Sequence, residues 1–322
     1  MNRREVLGLG VGTALAAGTA AHAQADFPSR SIRLVVSFPP GGGVDAVARL
    51  FADKMSPMLG QPVVVENRGG ASGTIAGKQV AAAGPDGYTV LVASNSMLVA
   101  QVMNPRTGLD IERELLGIAS AAPQAVIVVT HPDLPVATLK DLIALARTRK
   151  LNYGSPGAGS VPHLVIEHLF TAISNARMEH VPFAGAAQAL TGVLSSQVEV
   201  AVVTLPPAVS LVTSGKLKGI AVTTPARAAA LPDVPTTAEG GYPDVTVTVW
   251  NGFFVPAKTP KPIADKLGAA ILTTAGMTDI KDKLAQLGFE PTSIPGEQFQ
   301  REVAGEIATW SGIVEKAGIK PQ

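Results

Sequence analysis

Apolar residues along this chain follow two alternating rhythms. Short runs rich in Val and Ile, with few polar interruptions, give way to stretches with apolar positions every three or four residues. The first rhythm predicts strands covered on both faces, the second amphipathic helices. Ile32 to Phe38 reads as a strand, followed by a helix from Val44 to Leu59 whose inner face carries Val47, Leu50, Phe51 and Met55. Pro62 to Glu66 and Tyr88 to Ala93 read as strands flanking a small-residue helix, Thr74 to Ala83. A strand from Gln124 to Thr130 precedes a helix from Leu139 to Thr148, with Thr138 well placed to cap it. The alternation continues as strand Leu151 to Gly154, helix Val161 to Ile173, strand Met178 to Pro182 and helix Ala186 to Leu194. Strand Val198 to Thr204, a short helix opened by Pro206-Pro207, and strand Leu217 to Thr224 close this region. Such a succession predicts α/β layering with largely parallel strands.

Beyond residue 225 the texture changes. A turn segment, Leu231-Pro232-Asp233-Val234-Pro235, leads to a β run from Val245 to Val255 and then three helical stretches. These are Pro262 to Thr274, Asp279 to Leu287 and Glu297 to Lys316. Amphipathic helices at the end of a chain need a surface to cover, and the sheet begun by the first strands supplies one. The expected organisation is therefore a discontinuous first lobe, 26–123 plus 226–322, with 124–225 inserted as the second. Two segments crossing between the lobes form a hinge. Phe253 and Phe254 on the returning β run are expected in the core, whereas Trp250 suits either the core or the cleft.

The first 25 residues belong to neither rhythm. Met1-Asn2-Arg3-Arg4-Glu5 precedes an uncharged Gly/Ala-rich run from Val6 to Ala21, and Ala21-His22-Ala23 or Ala23-Gln24-Ala25 supplies a cleavage pattern. This is the arrangement of an export signal, removed on maturation, which places the mature chain in a periplasm. The Arg3-Arg4 pair and the diluting glycines suit the twin-arginine route, while Val6 in place of the usual Phe leaves the Sec route open. The apolar run is too short for a membrane span.

Removing Arg3, Arg4 and Glu5 leaves 24 basic and 24 acidic side chains, so no excess of positive charge invites nucleic acid. The 322 residues exceed one typical domain, and 46% apolar residues suffice for two cores. The absence of cysteine in an exported chain excludes disulfides and thiolate metal sites.

In open α/β sheets, ligands sit beyond the carboxyl ends of strands, where helices begin. Here those places hold glycines and small hydroxyls. Phe38-Pro39-Pro40-Gly41-Gly42-Gly43-Val44-Asp45 follows the first strand and Ser94-Asn95-Ser96 the third. Ser155-Pro156-Gly157-Ala158-Gly159-Ser160-Val161-Pro162-His163, Phe183-Ala184-Gly185 and Thr204 occupy equivalent places in the second lobe. Unpaired N–H groups and the dipole at a helix start favour an anion by about 0.3–1 kcal/mol each. Several such ends aimed at one point can hold a small carboxylate without Arg or Lys.

Other chemistries fit less well. Gly41-x-Gly43-x-x-Ala46, with Glu66 ending the next strand, matches a dinucleotide fingerprint, but Pro39-Pro40 stiffens the turn and such cofactors are chiefly cytosolic. No G-x-S-x-G elbow occurs. His163 and His168 lie five apart on different helix faces, so no zinc site is expected; His163 either caps its helix or touches ligand.

Several segments together resemble one receptor family. They are Phe38-Pro39-Pro40-Gly41-Gly42-x-x-Asp45, Gly60-Gln61-Pro62-Val63-Val64-Val65-Glu66-Asn67-Arg68 and Pro85-Asp86-Gly87-Tyr88-Thr89. Leu151-Asn152-Tyr153-Gly154-Ser155, Gly157-x-Gly159-Ser160-x-x-His163-Leu164 and Leu231-Pro232-Asp233-Val234-Pro235-Thr236 continue the likeness. The chain resembles the Bug family, the extracytoplasmic receptors of tripartite tricarboxylate transporters, from about Phe27 onward.

The resemblance implies a two-lobed, type II-like periplasmic binding protein. It would be a monomer without cofactor, metal or catalytic residues, capturing a small organic carboxylate for inner-membrane permease subunits. Carried over, Phe38, Gly41, Gly42 and Asp45 form the first loop, and Ser94 with Asn95 the second. Ser160, His163, Phe183, Gly185 and Thr204 complete the cleft, with Asp45 ordering its loop rather than meeting the anion. Many relatives carry Tyr-Lys-Gly at Phe183-Ala184-Gly185 and Phe-Asp-Asn near Val202-Val203-Thr204, so this second-lobe wall is more apolar. An apolar or aromatic distal half of the ligand, as in a benzoate-type or dicarboxylic acid, is the expectation that follows. A receptor feeding a sensor kinase, or an exported enzyme of dinucleotide type, are the alternative functions.

Overall fold

The computed structural model describes residues 27–176 and 178–316, so the expected export signal at 1–25 lies outside the described residues. Strands β1 (Ile32–Val36), β2 (Val63–Asn67) and β3 (Thr89–Ser94) alternate with helices Gly43–Leu59 and Thr74–Ala81. β1 pairs parallel with both neighbours, Leu34 standing between Val65 and Val90. Helix Ser96–Met103 then leads into β4 (Leu115–Thr130). The second set follows: β5 (Asn152–Ser155), β6 (Glu179–Pro182), β7 (Val200–Thr204) and β8 (Lys218–Val222). β9 (Thr248–Pro256), helices Lys261–Gly276 and Thr278–Gln286, β10 (Ser293–Pro295) and helix Gly296–Lys316 complete the chain.

The strand order β2-β1-β3-β9-β4-β7-β5-β6 makes β4 and β9 the bridge between two α/β lobes. β4 runs 16 residues and serves both sheets. Its first part pairs with β9, from Leu115 against Pro256 to Ala125 against Thr248. Its second part pairs with β7 and β8, Val126 against Thr204 and Ile127 against Val222. Between them the register with β9 shifts, and Ala122 takes a left-handed φ of 50°. A β-branched or bulky side chain would be strained there; alanine tolerates it at modest cost.

The first lobe buries Val47, Phe51 and Met55 of one helix and Leu267 and Ile271 of another against one face of its sheet. A second core gathers Leu91, Met97 and Phe299 together with Leu164, Phe170 and Val202, and so runs through both lobes. Ile127, Leu190 and Val203 form a third on the far face of the second sheet. Thr138 caps its helix as expected: its Oγ1 accepts from the Asp141 amide while Asp141 Oδ2 accepts from the Thr138 amide.

Two elements depart from expectation, and Trp250 takes the first of the two places open to it. Residues 226–247, expected in the first lobe, pack on the second: Leu231 and Val234 join Val222 and Leu217 in its core. The chain re-enters the first sheet at Thr248. The helix expected from Val161 to Ile173 is α-helical only through Ile166 and continues as a π-helix, Glu167–Ile173. Trp250 belongs to the core, its ring edge-on to Phe299 at 4.9 Å and its Nε1 donating to Glu306 Oε1 at 2.8 Å.

Candidate functional site

Among the helices that begin without a side-chain cap, two start at the seam with glycine before their first turn, one in each lobe. One starts at Gly43 after Gly42, the other at Ala186 after Gly185. Their first-turn N–H groups have no partner within their own helices. The seam holds a narrow cavity lined by Phe38, Pro39, Gly42, Gly43, Val44, Ser94 and Ser96 from the first lobe. Pro156, Pro162, Gly185, Ala186 and Thr204 line it from the second. Its volume is about 30 Å³, room for one or two waters, so taking in an organic acid requires the lobes to part. An adjoining chamber of about 280 Å³, walled by Phe38, Ser72, Met103, Pro156 and Phe183 among others, extends the seam outward. Among the described residues, no charged side chain lines either space.

The lobes touch directly. Ser72 Oγ donates to the carbonyl of Ala158 at 2.7 Å, and the Val161 amide donates to Ser96 Oγ at 3.1 Å. A Cβ on Gly41 would stand 3.5 Å from that of Ala187. Gly41 itself adopts φ 87°, a left-handed conformation for which glycine is suited.

Asp45 explains how the first loop keeps its shape. Buried beneath it, the carboxylate accepts from the Gly41 amide at 3.1 Å, Arg49 Nε at 3.1 Å and Asn67 Nδ2 at 2.8 Å. Burial alone would raise its pKa, but hydrogen bonds from Arg49, Asn67 and Gly41 and the Arg49 charge hold it below the ordinary value. Asn67 also donates to the Phe38 carbonyl at 3.0 Å, tying both ends of the loop to β2.

The second-lobe loop before Val161 spends its donors internally. The Gly157 amide donates to Ser155 Oγ and the Gly159 amide to His163 Nδ1. The His163 amide goes to Ser160 Oγ, and Pro162 has no N–H to give. This helix start therefore presents proline surface to the cavity, whereas the starts at Gly43 and Ala186 present main chain.

Of the residues singled out from sequence, Phe38, Gly42, Ser94, Gly185 and Thr204 line one cavity, and Gly41 and Asp45 sit directly behind it. Phe183 walls the outer chamber, its ring filling space beside Gly154 and Gly192. Asn95, Ser160 and His163 are outside both linings. Asn95 Nδ2 turns to the Thr248 carbonyl on β9. Ser160 Oγ donates to the Gly157 carbonyl, and His163 stacks on His180 with centroids 4.2 Å apart. Pro39, Gly43, Val44, Ser96, Pro156, Pro162 and Ala186 were not singled out, although all but Ala186 lie in the quoted glycine, proline and serine motifs. Glu66, the acid of the dinucleotide pattern, accepts from Arg68 Nε at 2.7 Å, away from the cavity. Among the described residues no cluster of three or more His, Cys, Asp or Glu is placed to hold a metal.

A profile for the tripartite tricarboxylate transporter family receptor matches residues 47–319. The chain belongs to this family. The receptor is 32% identical over 320 residues to protein BugT of Bordetella pertussis, covering 98% of this chain and 97% of that one. The structure of the periplasmic binding protein BugD superposes with a TM-score of 0.88 at 32% identity, over 92% of this chain and all of the other. The Rhodopseudomonas palustris protein Rpa4515 with adipate gives 0.86 at 32% identity, again over 92% and 100%. MatC from the same organism, with bound malate, gives 0.83 at 31% identity over 89% and 100%. The receptor thus has the two-lobed fold of a periplasmic binding protein, and among its described residues no helix is long and apolar enough to cross a membrane.

The stacked histidines give the receptor an acid limit. Burial lowers His163 to about 4, and His180 likewise to about 4, helped by its neighbour His163 and opposed by Glu167. An unfolded histidine takes up its proton near 6.5, so between pH 6.5 and 4 the unfolded chain binds more protons and stability falls as pH falls. His163 alone is expected to cost about 3 kcal/mol across that window, read from urea midpoints. A pH-independent midpoint from 7 to 4 would contradict its burial as a neutral acceptor.

Proposed function

We propose that the receptor works in the periplasm, closing over a small organic carboxylate and passing it to inner-membrane permease subunits of a tripartite tricarboxylate-type transporter. The observation that carries this reading is the pair of uncapped helix starts, one per lobe, facing a cavity with hydroxyls and no charged side chain. Backbone dipoles from both sides favour one negative group, and only when the lobes are together. Binding therefore draws the open–closed equilibrium towards closure. Gly42, Gly43, Gly185 and Ala186 supply main-chain donors, with Ser94, Ser96 and Thr204 offering hydroxyls. Phe38, Pro39, Pro156 and Pro162 form the apolar remainder, against which the ligand's distal half lies. Asp45, Asn95, Ser160 and His163 shape the loops from behind. The adipate and malate held by the two R. palustris relatives support a carboxylic acid as cargo.

The test is native mass spectrometry of freshly purified protein, followed by calorimetric titration with adipate, malate and benzoate. A co-purifying organic acid, displaced by one of the three, is the expected result. A cationic or uncharged passenger, with none of the acids bound, would overturn the reading.

The seam contact from Ser72 gives a graded check. Its hydrogen bond to Ala158 exists only with the lobes together, so Ser72→Ala should weaken affinity by about two- to tenfold, chiefly through faster release. Stopped-flow displacement measures this; an unchanged release rate would show that the contact does not hold the lobes shut.

A further inference from the structure

Two fully buried amides join the hinge to both first-lobe loops. Gln124 lies on β4 immediately after the register break, and its Nε2 donates to Asn251 Oδ1 at 3.2 Å. Asn251, on β9, donates from Nδ2 to the Ala122 carbonyl at 2.6 Å, at the left-handed residue where β4 changes sheets. On the loop side, Gln124 Oε1 occupies space only 2.1 Å from where a Cβ on Gly43 would be. Gly43 has no left-handed φ, so the neighbouring amide, not backbone conformation, demands glycine at the first helical position. Asn251 is also the β9 partner of Ser94, the last residue of β3. Neither amide lines the cavity.

We propose that Gln124 and Asn251 are positioning residues that couple the Gly41–Val44 and Ser94–Ser96 loops to the bend of the hinge at Ala122. The proposal rests on the reading of the seam as the ligand site. Asn251 is hydrogen-bonded at both ends, whereas Gln124 is held by its Nε2 bond and by the packing of Oε1, which has no hydrogen-bond partner, against Gly43. Movement of the helix start at Gly43 displaces Gln124, and through Asn251 it reaches the Ala122 carbonyl. Bending at Ala122 acts back along the same contacts, because coupling between two sites is reciprocal. A packed, hydrogen-bonded pair of this kind transmits small shifts instead of absorbing them.

The test needs no ligand. Gly43→Ala pushes on Gln124 from the loop side, and amide hydrogen exchange then reads the hinge in the peptide spanning residues 119–128. Gly43→Ala is expected to speed exchange there several-fold, with little change in β6 or in helix Leu139–Thr148. In a Gln124→Ala background, where the space is free, adding Gly43→Ala is expected to change hinge exchange no further. Should Gln124→Ala not fold, Asn251→Ala supplies the uncoupled background. Hinge exchange untouched by Gly43→Ala, or accelerated equally in both backgrounds, would overturn the coupling. Failure to bind any carboxylate would instead refute the ligand reading and leave this exchange result standing by itself.

Discussion

Gly42→Val should abolish detectable ligand binding while leaving the unfolding midpoint within a few degrees of the parent. The residue precedes the helix at Gly43 with φ −90° and ψ 170°, an extended conformation open to any side chain. A Cβ there meets only the Pro39 carbonyl, at 3.9 Å, so the protein itself has room for it. The remaining branches must enter the cavity that Gly42 lines, between a ligand and the donors of the first turn. On the proposed reading, main chain meets the anion at this point, so blocking the approach removes the interaction. Titration calorimetry and a thermal melt on the same preparation decide the matter. Retained affinity would take the first loop out of the site.

Asp45→Ala should damage both stability and binding. Removing the carboxylate strands the Gly41 amide and the Asn67 side chain and releases Arg49, which is half-exposed and finds water. A loss of about 1–2 kcal/mol is expected from the charge-assisted, partly buried hydrogen bonds that disappear. Affinity should fall by more than the Ser72 variant's, since the loop carrying Gly41 to Gly43 loses its brace. Asp45→Asn, which keeps the volume and one acceptor, should lie between the two. The acid profile carries a second signature. Asp45 is held below its ordinary value of 3.8, so its contribution is complete above that pH and is lost as pH falls below it. This acid limb lies below the histidine window and should shrink in Asp45→Ala, leaving the part due to other depressed carboxylates such as Asp141 and Glu239, as urea midpoints taken down to pH 2 would show.

Helices with strong edges were legible from sequence. Leu139–Thr148 and Ala186–Leu194 match expectation residue for residue, because Thr138 and Gly185 mark their starts and polar faces alternate with buried ones. Helix Ser96–Met103 was not foreseen. Six of its eight residues are buried, so no polar stripe gives it a 3.6-residue rhythm. The first half of β4 was equally hidden: Gly117, Ala119, Ser120, Ala121 and Ala122 have little strand preference, and pairing with β9 imposes the conformation. The late return to the first lobe has the same origin, since Leu231 and Val234 look alike whichever core receives them.

Within the seam, glycines and hydroxyls after strands announced the loops. What they do not announce is the direction each side chain takes. Asn95 and His163 are drawn away by partners far off in sequence or by a neighbouring amide, Thr248 for one and Gly159 for the other. Pairs such as Gln124 with Asn251 are invisible for the same reason, being 127 positions apart.

The bridge between the lobes is a two-stranded antiparallel ribbon. Such a ribbon resists shear and swivel, because either motion breaks many rungs at once, yet of its two irregular places the one near Ala122, where β4 leaves the first sheet, is where it flexes most readily. Travel is thereby confined to a single arc, like a leaf spring clamped at both ends. Substitutions on the cheeks of the second lobe can then alter which molecule is admitted without any retuning of the jaw that closes on it.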